Sequence, residues 1–366
     1  MNIKKKIYIH FFYKFTLGGA ETAFKRLVEN DLNSKRAHYV FIFNRKDISD
    51  LPKNVKDINL LQVIKLRRHS KNLSIYGWLY NGAILSFLFS FIFRKIKIVF
   101  SIQNPWRERS EIKLKNYLVN ILFVVITKSN KINKIIFPDL FSKRTHNLAG
   151  VPPQKSEVVH NGFNIELNQY DEELNLKNKD IFKLSYVGRF DEVKDIPFLI
   201  EILAFWIKDL DEQNKKRIII NFWGYGLDKK NNALIDLLNK KKISKYVLLN
   251  GIETNLEKIY QNSNLLLLTS KSEGLPSVLI EASKFGIPWI STKVGAVDEI
   301  AIDGIDFIID RKDKNNFTNK INYYSDNFFS GKFNFFIKIR KEKIDIFKNR
   351  YDIKDSINRY FFTNND

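Results

Sequence analysis

The sequence predicts two doubly wound α/β domains facing a cleft, and three observations carry that prediction. Strand-like and helix-like segments alternate through the first half of the chain, and the same rhythm starts again in the second half. Between them, residues 164–180 are polar and acidic with little periodicity, as a linker would be. A length of 366 residues also suits two domains at roughly 100–200 residues each.

The elements follow in order. Residues 6–12 read as a buried strand, followed by a loop with Gly18-Gly19 and an amphipathic helix over 20–30. Residues 37–43 form an apolar, aromatic-rich run, and 96–102 and 134–137 read as later strands. In the second half, 181–187 reads as a strand and 194–208 as a helix. Residues 217–223 form a strand ending at Gly224-Tyr225-Gly226, and 264–268 a purely apolar one. Pro276 opens a helix at its favoured first position, and 288–291 is a short strand. Such a rhythm predicts parallel sheets covered on both faces, with ligands beyond the carboxyl ends of the strands. The expected domains are 1–165 and 166–345, with a closing segment over 346–366.

Composition narrows the function. The absence of cysteine excludes a disulfide scaffold, a thiolate zinc site and a cysteine nucleophile. The N-terminus lacks the pattern of a secretory signal, so the expected location is cytoplasmic. The net charge of +21 suggests nucleic acid or an anionic membrane. Residues 1–165 hold 29 basic and 10 acidic side chains, a net of +19, and the remainder 32 and 30, a net of +2. Codon bias would act on both halves, so the excess charge belongs to the first.

Residues 72–93 contain no charge, and Arg94-Lys95 closes the stretch. A bilayer span needs about 20 apolar residues. Gly77, Asn81, Gly82 and three serines interrupt this one, and only 83–93 is densely apolar. It reads as a buried core helix, with an interfacial membrane helix or a true span as the alternatives.

The stretch with the most chemistry runs from Ser270 through Lys271, Ser272, Glu273, Gly274, Leu275, Pro276 and Ser277 to Glu281. It follows an apolar strand, which places Glu273 and Gly274 in a loop at the strand's carboxyl end. Gly274 lets a ligand approach the backbone, and the helix beginning at Pro276 offers free amides and partial positive charge to a phosphate. Glu281 lies eight residues beyond Glu273, so two carboxylates are placed to hold hydroxyls on two parts of one ligand. The plainer alternative is a helix cap and a surface glutamate.

This stretch resembles the E-x7-E signature of glycosyltransferase family 4, retaining sugar-nucleotide transferases of GT-B fold. The resemblance covers nearly the whole chain in order. Residues Gly188-Arg189 through Lys194-Asp195 resemble the G-R-x4-K-G element, with Asp195 where glycine is usual, and Gly224-Tyr225-Gly226 resembles the G-x-G loop. Gly18-Gly19-Ala20-Glu21 matches the G-G-A-E loop, and Asn161-Gly162-Phe163-Asn164 resembles N-G-V-D. The resemblance implies two Rossmann-like domains with a C-terminal helix crossing back to the first, here 347–360.

It also implies roles. Arg189 and Lys194 would neutralise the donor's pyrophosphate, where cations stabilise charge developing on a diphosphate leaving group. Glu281 would bind the ribose and Glu273 the donor sugar. Gly18 and Gly19 would let the backbone approach the diphosphate or sugar, and Gly188, Gly224, Gly226, Gly274, Leu275, Pro276 and Ser277 complete the donor side. Attack from the front face leaves no covalent nucleophile to assign. Gln103, in Ser101-Ile102-Gln103-Asn104, stands where the family often has a histidine facing the donor sugar. A glutamine there can hydrogen-bond a hydroxyl but cannot accept a proton. His160 stands where proline often precedes Asn-Gly and reads as structural.

His10, His38, His69 and His146 show no ligand spacing, and Asp209-Leu210-Asp211 reads as a solvated helix end, so no obligatory metal and no cofactor are expected. The resulting expectation is a retaining glycosyltransferase moving a sugar from a nucleotide-sugar donor, a UDP-sugar in preference to a GDP-sugar. The acceptor would be lipid-linked or a polysaccharide, in bacterial O-antigen, capsule or exopolysaccharide synthesis. The basic first half would sit on the anionic inner membrane surface, helped by the apolar segment 83–93, and no nucleic acid partner is expected. The alternatives are a sugar-nucleotide epimerase or hydrolase on the same fold.

Overall fold

The computed structural model describes residues 5–16, 18–46, 50–66, 72–93, 96–163, 180–261, 263–311, 313–347 and 350–361. The linker reading at 164–179 and the pair Arg94-Lys95 therefore lie outside the described residues. The chain forms two compact units, one of residues 1–164 with 351–366 and the other of residues 165–350.

The first unit is a seven-stranded sheet in the order β3-β2-β1-β4-β5-β6-β7 with every neighbouring pair parallel. Its elements are β1 (Lys6–Phe12), α1 (Gly19–Glu29), β2 (Arg36–Ile42), β3 (Val55–Asp57), α2 (Leu60–Lys65) and β4 (Leu73–Trp78). They continue with α3 (Leu79–Ser90), β5 (Lys97–Ser101), α4 (Leu114–Thr127), β6 (Ile132–Phe137), α5 (Leu140–Leu148) and β7 (Ser156–Val158). The strand order reverses between β1 and β4, which creates a crevice at their carboxyl ends.

The uncharged stretch 72–93 is not one helix. It is β4, followed by a reversal at Leu79 (φ 57°), followed by α3. The physical reason is that β4 lies between β1 and β5 and is apolar on both faces, so it lacks the alternation that marks a strand. Gly77 makes the tight return feasible: a Cβ there would lie 2.4 Å from Ser86 Oγ and 2.5 Å from Ala83 Cα. Among the described residues no helix is long and apolar enough to cross a membrane.

The second unit is a six-stranded parallel sheet in the order β10-β9-β8-β11-β12-β13. It runs β8 (Phe182–Val187), α6 (Ile196–Asp209), α7 (Glu212–Lys215), β9 (Ile218–Trp223), α8 (Asn232–Lys240), β10 (Val247–Gly251), α9 (Leu256–Tyr260) and β11 (Leu265–Leu268). Then come α10 (Ser277–Lys284), β12 (Trp289–Thr292), α11 (Val297–Ile300), β13 (Phe307–Ile309), α12 (Lys314–Phe329) and α13 (Phe333–Phe347). Here the order reverses between β8 and β11. The helix α14 (Ile353–Phe361) belongs to the first unit, where Ile353, Ile357, Tyr360 and Phe361 join Phe12, Phe24 and Trp78 in one core. The Tyr8 and Tyr76 hydroxyls donate to the Phe361 and Tyr360 carbonyls at 2.8 and 2.6 Å.

Two histidines that show no relation in sequence meet in this core. The Trp78 indole N–H donates to His10 Nδ1 (3.2 Å), which leaves the proton of neutral His10 on Nε2. His10 Nε2 then donates to His38 Nδ1 (3.0 Å), and His38 Nε2 donates to Asp31 Oδ2 (3.0 Å). Burial holds His10 well below its usual pKa, and burial brings His146 down to about 4. A histidine kept neutral by the fold contributes stability that is present near neutral pH and lost as pH falls below its unfolded value of about 6.5. His146 alone is therefore expected to remove about 2 kcal/mol of folding free energy between pH 7 and pH 5. Urea titrations at the two pH values check this, and equal midpoints would contradict it.

Candidate active site

Both reversals of strand order carry the residues singled out above. In the second unit, β8 leads into Gly188 and Arg189, β9 into Gly224-Tyr225-Gly226, and β11 into the loop with Glu273. The chain pinches where β8 and β9 end. Gly188 N–H donates to the Trp223 carbonyl (2.9 Å), and a Cβ on Gly224, at φ 133°, would fall 1.8 Å from the Gly188 carbonyl oxygen. Glycine at 224 is thus demanded by packing, whatever else the loop does.

Asp191 shapes the next turn. Its carboxylate accepts from Lys194 N–H (3.0 Å) and starts a short 3₁₀ turn over Glu192–Lys194. Arg189 pairs with Asp191 at 3.2 Å and stays largely exposed. Asp195, standing where the family usually has glycine, has φ 51° and ψ 49°. The position needs a left-handed residue, which glycine adopts freely and aspartate tolerates. Arg311 holds the Asp195 carboxylate in an ion pair.

This turn is tied to the β11 loop. Lys271 N–H donates to the Val193 carbonyl (2.7 Å), and Thr269 Oγ1 donates to the Lys194 carbonyl (3.3 Å). The result brings Lys194 Nζ to 2.5 Å from Glu273 Oε1, with Ser270 Oγ donating to the same oxygen at 2.5 Å. Both partners of the ion pair are mostly buried, at 17% and 14% side-chain exposure. Two residues 79 positions apart in sequence thus form a charged pair at the carboxyl edge of the sheet.

Pro276 is the residue just before α10, rather than its first helical residue, because its ψ of 101° is extended. It supplies no side-chain cap, so the first amides of α10 keep their capacity for an anion. Leu275 and Gly274 lead into this start, and the Gly274 carbonyl accepts from Ala296 N–H (2.9 Å). Ser277 is exposed and Pro276 buried. Glu281, in the second turn of α10, is buried and accepts from the Tyr260 hydroxyl at 2.9 Å.

One residue here had no sequence signal. Tyr186, on β8, has a buried hydroxyl without a partner. Burial, reinforced by the negative charges of Glu273, Asp191 and Asp195, pushes its pKa well above the ordinary tyrosine value. The hydroxyl therefore stays protonated, a donor among three carboxylates.

In the first unit, Gly18 and Gly19 begin α1, again without a side-chain cap, and line a cavity of about 500 Å³. Gln103 lines it too, but its amide is engaged. Nε2 donates to Ser101 Oγ (2.8 Å) and to the Tyr360 hydroxyl (2.9 Å), and Oε1 accepts from Asn161 Nδ2 (2.7 Å). Gln103 thus joins the strand end to the Asn-Gly element and to α14. His160 Nδ1 donates to the Pro138 carbonyl (2.8 Å), as a structural histidine would. Arg107 and Asn104, to which the sequence reading assigned no role, line the same cavity with buried atoms, Nε and Oδ1, that have no partner among the described residues. Asp211 of the Asp-Leu-Asp triplet caps α7, accepting from Asn214 N–H at 2.7 Å. Among the described residues, no three of His, Cys, Asp or Glu gather as a metal site.

Residues 169–328 match the family model described as glycosyl transferases group 1. Most of the second unit is thus similar to group 1 glycosyl transferases. Glycosyltransferases also appear among the relatives. A Methanocaldococcus jannaschii protein named uncharacterized glycosyltransferase MJ1059 is 28% identical over 65% of this chain and 53% of its own length. The capsular polysaccharide biosynthesis glycosyltransferase CapH of Staphylococcus aureus is 27% identical over 46% of this chain and 44% of its own. The chain spans about half the length of the curated relatives it matches. The crystal structure of Anabaena Alr3699/HepE in complex with UDP superposes over 97% of this chain and 98% of that one, at a TM-score of 0.77 and 18% identity. The same protein has been solved with UDP-glucose. The fold of the chain is GT-B, two α/β units each with a parallel sheet.

Proposed function

We propose that the protein is a retaining glycosyltransferase of family 4 type that takes a sugar from a nucleotide-sugar donor, a UDP-sugar in preference to a GDP-sugar. Its acceptor is lipid-linked or a polysaccharide, in bacterial O-antigen, capsule or exopolysaccharide synthesis. The observation that carries this reading is the Lys194–Glu273 pair beside Arg189 and the uncapped start of α10. That grouping offers two cations and a set of backbone amides to a diphosphate, and a carboxylate to sugar hydroxyls. The HepE structures with UDP and UDP-glucose lend support to a uridine donor.

In this mechanism the bond between the donor's anomeric carbon and the diphosphate oxygen breaks as an acceptor oxygen attacks the same face. The acceptor's proton passes to the departing diphosphate oxygen, so no protein nucleophile and no metal are required. Lys194 and Arg189 carry the charge that develops on the leaving group. Glu273 orients the donor sugar, and Glu281 the ribose. Gly188, Gly224, Gly226, Gly274, Leu275, Pro276 and Ser277 shape the donor side, and in the first unit Gly18 and Gly19 leave the backbone at the start of α1 open to a ligand.

The experiment is a panel of UDP-glucose, UDP-galactose and GDP-mannose with membrane lipid extract as acceptor source, read by nucleotide release and by NMR of the product. Acceptor-dependent release with retained anomeric configuration is expected. An inverted product rules out the retaining reading, and release of an epimer without acceptor rules out transfer. Arg107 lies in the first unit, in the cavity that Gly18, Gly19 and Gln103 also line, and in this scheme it contacts the transferred sugar or its acceptor rather than UDP. Arg107→Ala is expected to leave UDP affinity unchanged and lower transfer about 10- to 100-fold, the scale of one lost hydrogen bond to a charged group.

A further inference from the structure

One helix of the first unit has two unlike sides. On α4, Asn116, Val119 and Asn120 line the cavity that Gly18, Gly19 and Arg107 also line, and Phe123 is fully buried behind them. At 3.6 residues per turn, Leu114, Leu118, Ile121, Leu122 and Val125 fall on the opposite side. Among the described residues nothing covers that side: these five are 53%, 58%, 40%, 47% and 58% exposed. A side chain packed in a core would be a few per cent exposed at most, and Phe123 is fully buried.

The apolar surface extends onto α3, which packs against α4 and leaves Leu88 and Phe91 at 59% and 61% exposure. Lys131 sits over the Phe91 ring at 4.5 Å, joining the two helices at one end. The rim is basic. Arg109, Lys113 and Lys115 lie at the start of α4 and Lys128 and Lys131 at its end, against Glu108 and Glu111 only. An apolar helix face edged by lysines, in a half of the chain with a net charge of +19, matches the chemistry of an anionic bilayer interface.

We propose that the outward face of α4, with Leu88 and Phe91, inserts into the headgroup region of an anionic membrane. The cavity on the inner side of α4 then lies about one helix diameter, 10–12 Å, from that surface. The substrate class follows: an amphiphile whose sugar lies close to its lipid anchor. This rests on the acceptor reading above and moves the insertion surface from 83–93, most of which is covered, to α4.

The test is sedimentation of the full chain with vesicles of phosphatidylcholine and phosphatidylglycerol in equal parts, against phosphatidylcholine alone. Binding to the anionic vesicles is expected, weakened by 500 mM salt. Leu118→Gln with Ile121→Gln and Val125→Gln is expected to weaken it at least ten-fold. Leu32→Gln, at an exposed leucine outside the face, is expected to leave it unchanged. Thermal melting confirms that the variants fold, and calorimetry of UDP binding is run alongside. Equal binding by the triple variant and the parent overturns the proposal, as does a parent that does not bind anionic vesicles. A parent that is dimeric by light scattering while the triple variant is monomeric also overturns it, since a second copy would then cover the face. If UDP binds and vesicles do not, only this inference falls; if UDP does not bind, the donor reading falls.

Discussion

Lys194→Ala is expected to lower sugar transfer by about 100- to 1,000-fold, the loss seen when one preorganised group that stabilises developing charge is removed. The reason lies in how Lys194 is held. Its backbone is fixed by Asp191 and by the Lys271–Val193 hydrogen bond, and its ammonium by Glu273 at 2.5 Å. In the free protein the cation and the carboxylate satisfy each other. In the proposed mechanism Lys194 turns to the diphosphate and Glu273 to the sugar when a donor arrives, so one pair supplies both ends of the breaking bond. The effect should fall mainly on kcat, because the charge on the leaving group is greatest in the transition state. Glu273→Gln is expected to reduce transfer as well. The double variant should be much less than additive, since each single change also strands the other partner. Steady-state UDP release with acceptor present measures all three. A loss below ten-fold for Lys194→Ala would mean the diphosphate is neutralised elsewhere.

The residues assigned to the donor side could be picked out in sequence because each set is local. Glu273 and Glu281 share one loop and helix, and Arg189 and Lys194 share one turn. What sequence could not give was their convergence: the contact between Lys194 and Glu273 depends on β8 and β11 being neighbours, a fact of sheet order. Asp195 looked like a flaw in the motif until its left-handed backbone and Arg311 accounted for it. The strand β4 was hidden because a strand buried on both faces has no alternation, so 72–93 read as a single helix.

The first unit was harder to read for another reason. His10, His38 and Asp31 meet only because β1 and β2 pair in register, with His10 opposite Val40 and Tyr8 opposite His38. Arg107 and Asn104 carry no motif, and their unpartnered atoms exist only once the cavity around them is formed. On α4 the apolar residues are almost continuous, so the sequence could not say which side would find a partner. Charge was different: the excess of the first half was visible at once, because a sum over residues needs no fold.

Lys343→Met is expected to destabilise the protein by about 3–5 kcal/mol, the cost of stranding one charge of a buried pair. Lys343, on α13, and Asp306, just before β13, are both fully buried. Lys343 Nζ donates to both carboxylate oxygens, at 2.5 and 2.6 Å. Asp306 also accepts from the backbone N–H groups of Trp289 and Ile302, at 3.1 and 3.0 Å, which ties β12 and the turn before β13 to α13. Without Lys343 the carboxylate keeps two amide donors and no cation, in a place where burial already pushes its pKa up. It would then fold protonated, and the variant's deficit should shrink as pH falls toward 5, because protonation removes the unpaired charge. Asp306→Asn is expected to cost less at neutral pH than Lys343→Met, since Asn can still accept an amide and Lys343 can release its proton. Urea unfolding of both variants at pH 7.5 and pH 5 separates these effects. A Lys343→Met deficit that stays constant with pH would show that the loss comes from packing against Trp289, whose ring lies 5.5 Å from the ammonium, rather than from the charge.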